Sequence, residues 1–168
     1  MAFFPLEPSH ARAILASKEH GCTADMLEIV SVLSTKSKLF FESTKQQCHS
    51  EEESHSLHHA SGDHLTILNA VKAYRDVAKA GTKGGRKEWC RKHRLNERTL
   101  AEATKIRDQL RKVCTRLGID WTSSSSDDWS LLISLGCGLI QNAAFLQPGG
   151  SYRQIMGSAV SVSAACLL

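Results

Sequence analysis

Apolar residues recur at helical spacing through most of the 168-residue chain, and these runs set its expected elements. After Gly62, residues Leu65, Leu68, Val71 and Tyr74, with Ile67 beside Val71, fall on one face of a helix expected to reach about Ala80. Gly62 suits a turn, and the Asp63 carboxylate suits an N-cap. A second seam follows Asn96, itself a capping residue. It comprises Leu100, Ala103, Ile106, Leu110, Val113, Cys114 and Leu117, and Gly118 is placed to end it. Upstream, a short helix from about Ser9 turns Ala11, Ile14 and Leu15 inward and stops near Gly21. Thr23 can cap the next helix. There Met26, Leu27, Ile29, Val30, Val32 and Leu33 are apolar almost all round, which predicts deep burial.

Between the seams, Gly81, Gly84 and Gly85 predict a flexible break before a short helix at about 87–93 that carries Trp89 and Cys90. Trp121 and Trp129 bound a Ser/Asp linker and are expected as packed anchors. A last helix, about 128–146, would bury Leu132, Leu135, Leu139, Ile140, Ala143 and Ala144. Its Gly136 and Gly138 would allow close helix approach. After the Pro148-Gly149-Gly150 turn, 151–156 and 159–163 read as two short strands. From Lys36 to Ser61 only Leu39-Phe40-Phe41 offers an apolar anchor, and about 43–56 is expected to be an exposed, disordered loop. The expected fold is mainly α, a helical bundle followed by an incomplete β segment.

Composition fits that picture. Hydrophobic residues make up 42% and charged residues 23%, and only 6% are aromatic, which favours aliphatic helix packing. The net charge of +4 is unevenly spread. From Lys83 to Arg116 twelve basic residues meet four acidic ones, a local surplus of eight. Such a block suits a polyanionic partner, although a solvated helix face has the same composition. The six cysteines are scattered, without a Cys-x-x-Cys pair or a secretory signal, so a reducing compartment without disulfides is expected. No apolar stretch approaches the roughly 20 residues that span a bilayer, so no membrane partner is expected.

Candidate chemistry is sparse. His55 and His59 stand four apart, a spacing that serves a metal on a helix, but no second spaced pair accompanies them. There is no Gly-x-x-x-x-Gly-Lys-Ser/Thr loop, no Asp-Glu-Ala-His, no Gly-x-Ser-x-Gly and no His-Glu-x-x-His. Glu51-Glu52-Glu53 and Asp127-Asp128 read as solubilising charges. His64, beside an N-cap, is expected to be structural and to resist protonation. Nothing in the sequence supports catalysis by this chain alone.

Several blocks together resemble, in order, the C-terminal region of DEAH-box RNA helicases. Phe4-Pro5-Leu6-Glu7-Pro8 is similar to the joint between their winged-helix and ratchet domains. Gly21-Cys22-Thr23-Ala24-Asp25-Met26-Leu27-Glu28-Ile29-Val30-Ser31 resembles a Gly-Cys-(Ser/Thr)-x-(Glu/Asp)-(Ile/Met)-Leu-x-Ile-Val-Ser segment. Gly62-Asp63-His64-Leu65-Thr66-Ile67-Leu68-Asn69 resembles Gly-Asp-His-(Leu/Met)-Thr-Leu-Leu-Asn. Trp89-Cys90, Arg98-Thr99-Leu100 and Ile106-Arg107-Asp108-Gln109-Leu110 follow, and then Asn142-Ala143-Ala144 and Tyr152-Arg153 at the start of an OB-fold module. The family's His-Pro-Ser-Ser segment has no counterpart at Ser163-Ala164-Ala165-Cys166.

The resemblance implies domains at 1–8 (end of the winged-helix joint), 9–121 (ratchet) and 122–168 (last helix and a truncated OB fold). It implies a fragment or truncated gene model, since the ATP-binding RecA-like domains lie outside the sequence. It also implies one wall of a channel for single-stranded RNA, moved by ATP hydrolysis in those domains. The chain itself would hold no cofactor; ATP and magnesium belong to the intact helicase. Partners would be single-stranded RNA, the RecA-like core and a protein activator, in the nucleus and its nucleolus or else the cytoplasm. Arg98, Arg107, Asn142 and Arg153 are the RNA-contact candidates. For Arg107 the alternative is pairing with a neighbouring helix, and for Asn142 a buttress at the OB junction. Two other readings of the whole chain are a helical protein-interaction module docking a helicase core or activator, and a metal-binding regulator using the His-rich loop.

Overall fold

A computed structural model describes residues 4–41, 56–81, 83–125, 127–148, 151–155 and 159–160. Six helices are present among them: α1 (Pro8–Glu19), α2 (Thr23–Leu33), α3 (Asp63–Ala80), α4 (Lys83–Lys92), α5 (Glu97–Arg116) and α6 (Asp128–Leu139). A 3-10 turn at Ile140–Asn142 leads into β1 (Ala144–Leu146), β2 (Tyr152–Gln154) and β3 (Ala159–Val160). The fold is mainly α, as the periodicity predicts. The described residues form two compact units, one up to Met26 and from Ser123 onward, the other from Leu27 to Thr122. The expected disordered loop and His55 fall outside the described residues.

In the Leu27–Thr122 unit, the α3 stripe behaves as its spacing requires: Leu65, Leu68, Val71 and Tyr74 are all buried. Gly62, rather than Asp63, takes the position before the helix. Its φ of +115° suits glycine, and Asp63 becomes the first helical residue, adding an acidic charge to the positive end. Val71, Ala70 and Tyr74 join Val32, Leu39, Leu57, Cys90, Leu95, Leu100 and Ala103 in one core. The expected glycine break is shorter than anticipated. Gly84 and Gly85 lie in the first turn of α4, and only Gly81 remains extended at the end of α3. An N-terminal turn tolerates glycine because its amides have no intrahelical partners to lose.

The chain enters α5 through Asn96, whose side chain accepts from the Arg98 backbone N–H at 3.1 Å. Leu100, Ala103, Leu110, Val113 and Cys114 are buried as the seam predicts, whereas Ile106 is half-buried and Leu117, just past the helix, is exposed. Removing the cap by Asn96→Ala is expected to cost about 1 kcal/mol of stability. Urea unfolding of the two proteins would measure it, and coincident curves would show that the side chain does not cap.

The other unit pairs α1 with α6. The α6 stripe is Leu131, Ser134, Leu135 and Gly138, all buried. A Cβ built on Gly138 would lie 2.5 Å from the Ser9 carbonyl oxygen and 2.7 Å from Ala13 Cβ, so only glycine admits this approach. Gly136 faces open space and plays no such part. Three expectations are corrected in this unit. Leu15 and Trp129 are exposed, lying off the stripes of their helices, and Trp129 is no anchor. The last helix stops at Leu139 instead of about 146: Ala144–Leu146 become a strand, and Ile140 is exposed. The β1 strand pairs antiparallel with β2 (Phe145 opposite Arg153), and β2 with β3 (Arg153 opposite Ala159). Backbone hydrogen bonding to β2 gives these three residues the partners that a helix would have supplied.

Candidate functional site

The Leu27–Thr122 unit gathers charge around one buried carboxylate. Glu28, on α2, has a side chain only 4% exposed. Arg75 of α3 donates from Nη1 to its Oε1 at 3.0 Å, and Arg107 of α5 donates from Nη1 to the same oxygen at 3.2 Å. Arg111, one turn beyond Arg107, holds Nη2 3.8 Å from that oxygen. Asp108 takes the other side of Arg107, accepting from Nη2 at 3.0 Å and from Nε at 3.2 Å. Three guanidinium groups therefore share two carboxylates. Burial alone would lower the Arg107 pKa, but Glu28 and Asp108 outweigh it and hold the group above its usual value. Arg111 goes the other way: burial and the repulsion of Arg107 depress it.

Trp121 completes the cluster. The Arg111 guanidinium carbon sits 4.9 Å from the Trp121 ring centroid, a cation–π contact. The indole is fixed in turn, donating from Nε1 to Thr115 Oγ1 at 3.0 Å.

The four residues singled out in the sequence are dispersed. Arg98 and Arg107 share α5, but nine residues separate them, so they lie on opposite sides of the helix and roughly 13 Å apart along its axis. Arg98 is exposed, and Lys105 and Lys112 are exposed on the same helix, so the seven-residue spacing does mark a solvent-facing basic stripe. Arg107 is drawn inward, its side chain 11% exposed, and pairs with a neighbouring helix through Glu28. Asn142, in the 3-10 turn, and Arg153, on β2 opposite Phe145, are both exposed and belong to the other compact unit. Glu28, Arg75, Arg111 and Trp121 do not stand out as a group in the sequence. Glu28 stands between Leu27 and Ile29 in a largely apolar helix, and a buried charge there calls for partners. That was the available signal.

His64 is half-buried; burial lowers its pKa, with adjoining Asp63 opposing. Before α3, the His59 backbone N–H donates to Thr66 Oγ1 at 3.0 Å. Among the described residues no group of three His, Cys, Asp or Glu side chains could hold a metal ion. No helix among them is long and apolar enough to cross a membrane.

Residues 7–67 match the helicase associated domain (HA2), ratchet-like. The chain is similar to mouse ATP-dependent RNA helicase DHX33, with 32% identity over 160 residues, 90% of this chain and 21% of the relative. The human protein of the same name is 33% identical over 152 residues, 90% of this chain and 20% of the relative. The human protein named probable ATP-dependent RNA helicase DHX35 is 30% identical over 155 residues, 92% of this chain and 21% of the relative. The chain thus spans about a fifth of the length of these curated relatives.

Proposed function

We propose that this chain, which carries the ratchet-like helicase-associated domain of the DEAH-box RNA helicases, acts as an accessory RNA-binding segment of such an enzyme. The observation that carries the reading is the homology over nine-tenths of the chain to proteins named as ATP-dependent RNA helicases. The basic face of α5 supports it: Arg98, Lys105 and Lys112 recur every seven residues and all face solvent. A cationic track of this kind follows a phosphate backbone without reading its sequence.

On this reading the chain forms part of the wall of a single-strand channel. RecA-like domains supply ATP and magnesium binding and hydrolysis, and β1–β3 begin an OB-fold module. Arg98 and Arg153, being exposed, are free to reach RNA, as is Asn142. The RecA-like core and a protein activator are the protein partners, and remodelling of nuclear or nucleolar RNA is the setting.

Filter binding of single-stranded RNA to the whole chain over a salt series tests this. Affinity is expected to fall linearly with salt on logarithmic axes, by about 0.7 in slope for each phosphate neutralised. No binding at low salt, or binding indifferent to salt, would overturn the proposal.

A further inference from the structure

We infer that Arg75 and Arg111 form a phosphate-binding site for the backbone of single-stranded RNA, with Arg107 and Glu28 as its fixed base. The inference rests on the RNA-binding reading above and names where on this unit the backbone is gripped.

Exposure separates the three arginines into different roles. Arg107 is 11% exposed and saturated by Glu28 and Asp108, so it has little left to offer a ligand. The side chains of Arg75 and Arg111 are 38% and 28% exposed. Arg75 gives Glu28 a single hydrogen bond. Arg111 has carboxylate oxygens of Glu28 and Asp108 no nearer than 3.8 Å, beyond hydrogen-bonding distance. The Nε groups of both are shielded from solvent and have no acceptor. A guanidinium offers five donors in a planar fork, so with Nε shielded it is the Nη groups of each that remain for an anion.

The charge balance points the same way. Three positive groups against Glu28 and Asp108 leave a surplus of one. A phosphodiester carries one negative charge and presents two free oxygens, which matches the surplus and the fork. Trp121 holds the Arg111 plane in place, so less side-chain freedom is lost when an anion arrives. A lone carboxylate would satisfy the same donors. The polyanion is favoured because the stretch from Lys83 to Arg116, which includes Arg107 and Arg111, carries eight more basic than acidic residues.

The test uses the full chain and a fluorescently labelled oligouridylate titrated across a salt series. Arg75→Gln and Arg111→Gln are each expected to weaken binding, and to make the salt dependence shallower by about 0.7 in logarithmic slope, the loss of one phosphate contact. Glu28→Gln removes the competing carboxylate and is expected to tighten binding and leave the slope no shallower. Together with losses at Arg75 and Arg111, such a gain assigns the contact to this cluster. Far-UV circular dichroism checks each variant. Should Arg111→Gln lose its fold, Arg75→Gln and Glu28→Gln decide the matter. Wild-type affinity and slope in folded Arg75→Gln would overturn the inference while leaving the RNA reading intact. So would unchanged RNA binding alongside weakened binding of a poly-glutamate peptide, which would assign the site to an acidic protein segment. Failure of the unmodified chain to bind oligouridylate at low salt would overturn both.

Discussion

Replacing Arg107 with methionine is expected to destabilise the protein by about 3 kcal/mol, because it strips the best-placed counter-charge from a carboxylate that is almost wholly buried. The loss should sit at the lower end of the range for broken buried pairs. Arg75 and Arg111 remain within reach of Glu28 and compensate in part. Joining Glu28→Met to Arg107→Met removes the orphaned charge together with its partner, so most of the stability should return. Urea unfolding at neutral pH of the wild type, both single variants and the double variant supplies the cycle. An Arg107→Met protein within about 0.5 kcal/mol of wild type would show that the pair adds nothing to stability.

Opposite signs are expected from two glycines only two positions apart. Gly138→Ala places a methyl group against Ser9 and Ala13 backbone, where nothing flexible can yield. Overpacking of this sort costs about 1–3 kcal/mol, and the gain in helix propensity, about 1 kcal/mol, offsets only part of it. Gly136→Ala meets open space, so there the propensity gain stands alone and the protein should become more stable. Denaturant unfolding of both variants reads the contrast. A Gly138→Ala protein at least as stable as the wild type would mean that α1 and α6 do not approach as closely as described.

Local rules made much of the fold legible in advance. The α3 span from Asp63 to Ala80, its buried stripe and the Asn96 cap all follow from residue types at short separations. The end of α6 did not follow. Ile140, Ala143 and Ala144 continue a helical apolar rhythm, and a short apolar run fits strand as well as helix. Pairing with Tyr152–Gln154 decides between them, and that pairing is invisible to a periodicity argument. The Glu28 cluster was hidden for a related reason. Its members come together from α2, α3 and α5, separated by 47 and 79 residues, and no local spacing joins them. Trp129 misled because an aromatic residue beside a polar linker suggests packing, whereas its place off the Leu131–Gly138 stripe leaves it in solvent.

The four described cysteines are free thiols: Cys22, Cys90 and Cys114 are buried, and Cys137 is exposed. Burial pushes Cys22 and Cys114 up, and with help from Glu97 it pushes Cys90 up to about 11, so little nucleophilic thiolate forms at neutral pH. Cys137 can be alkylated at once, whereas the buried three react only as fast as their surroundings open. Cys22 lies in one compact unit and Cys90 and Cys114 in the other, so the chain carries a chemical clock in each. With Cys48, Cys137 and Cys166 replaced by serine, the order in which Cys22, Cys90 and Cys114 take up label tells which unit breathes first.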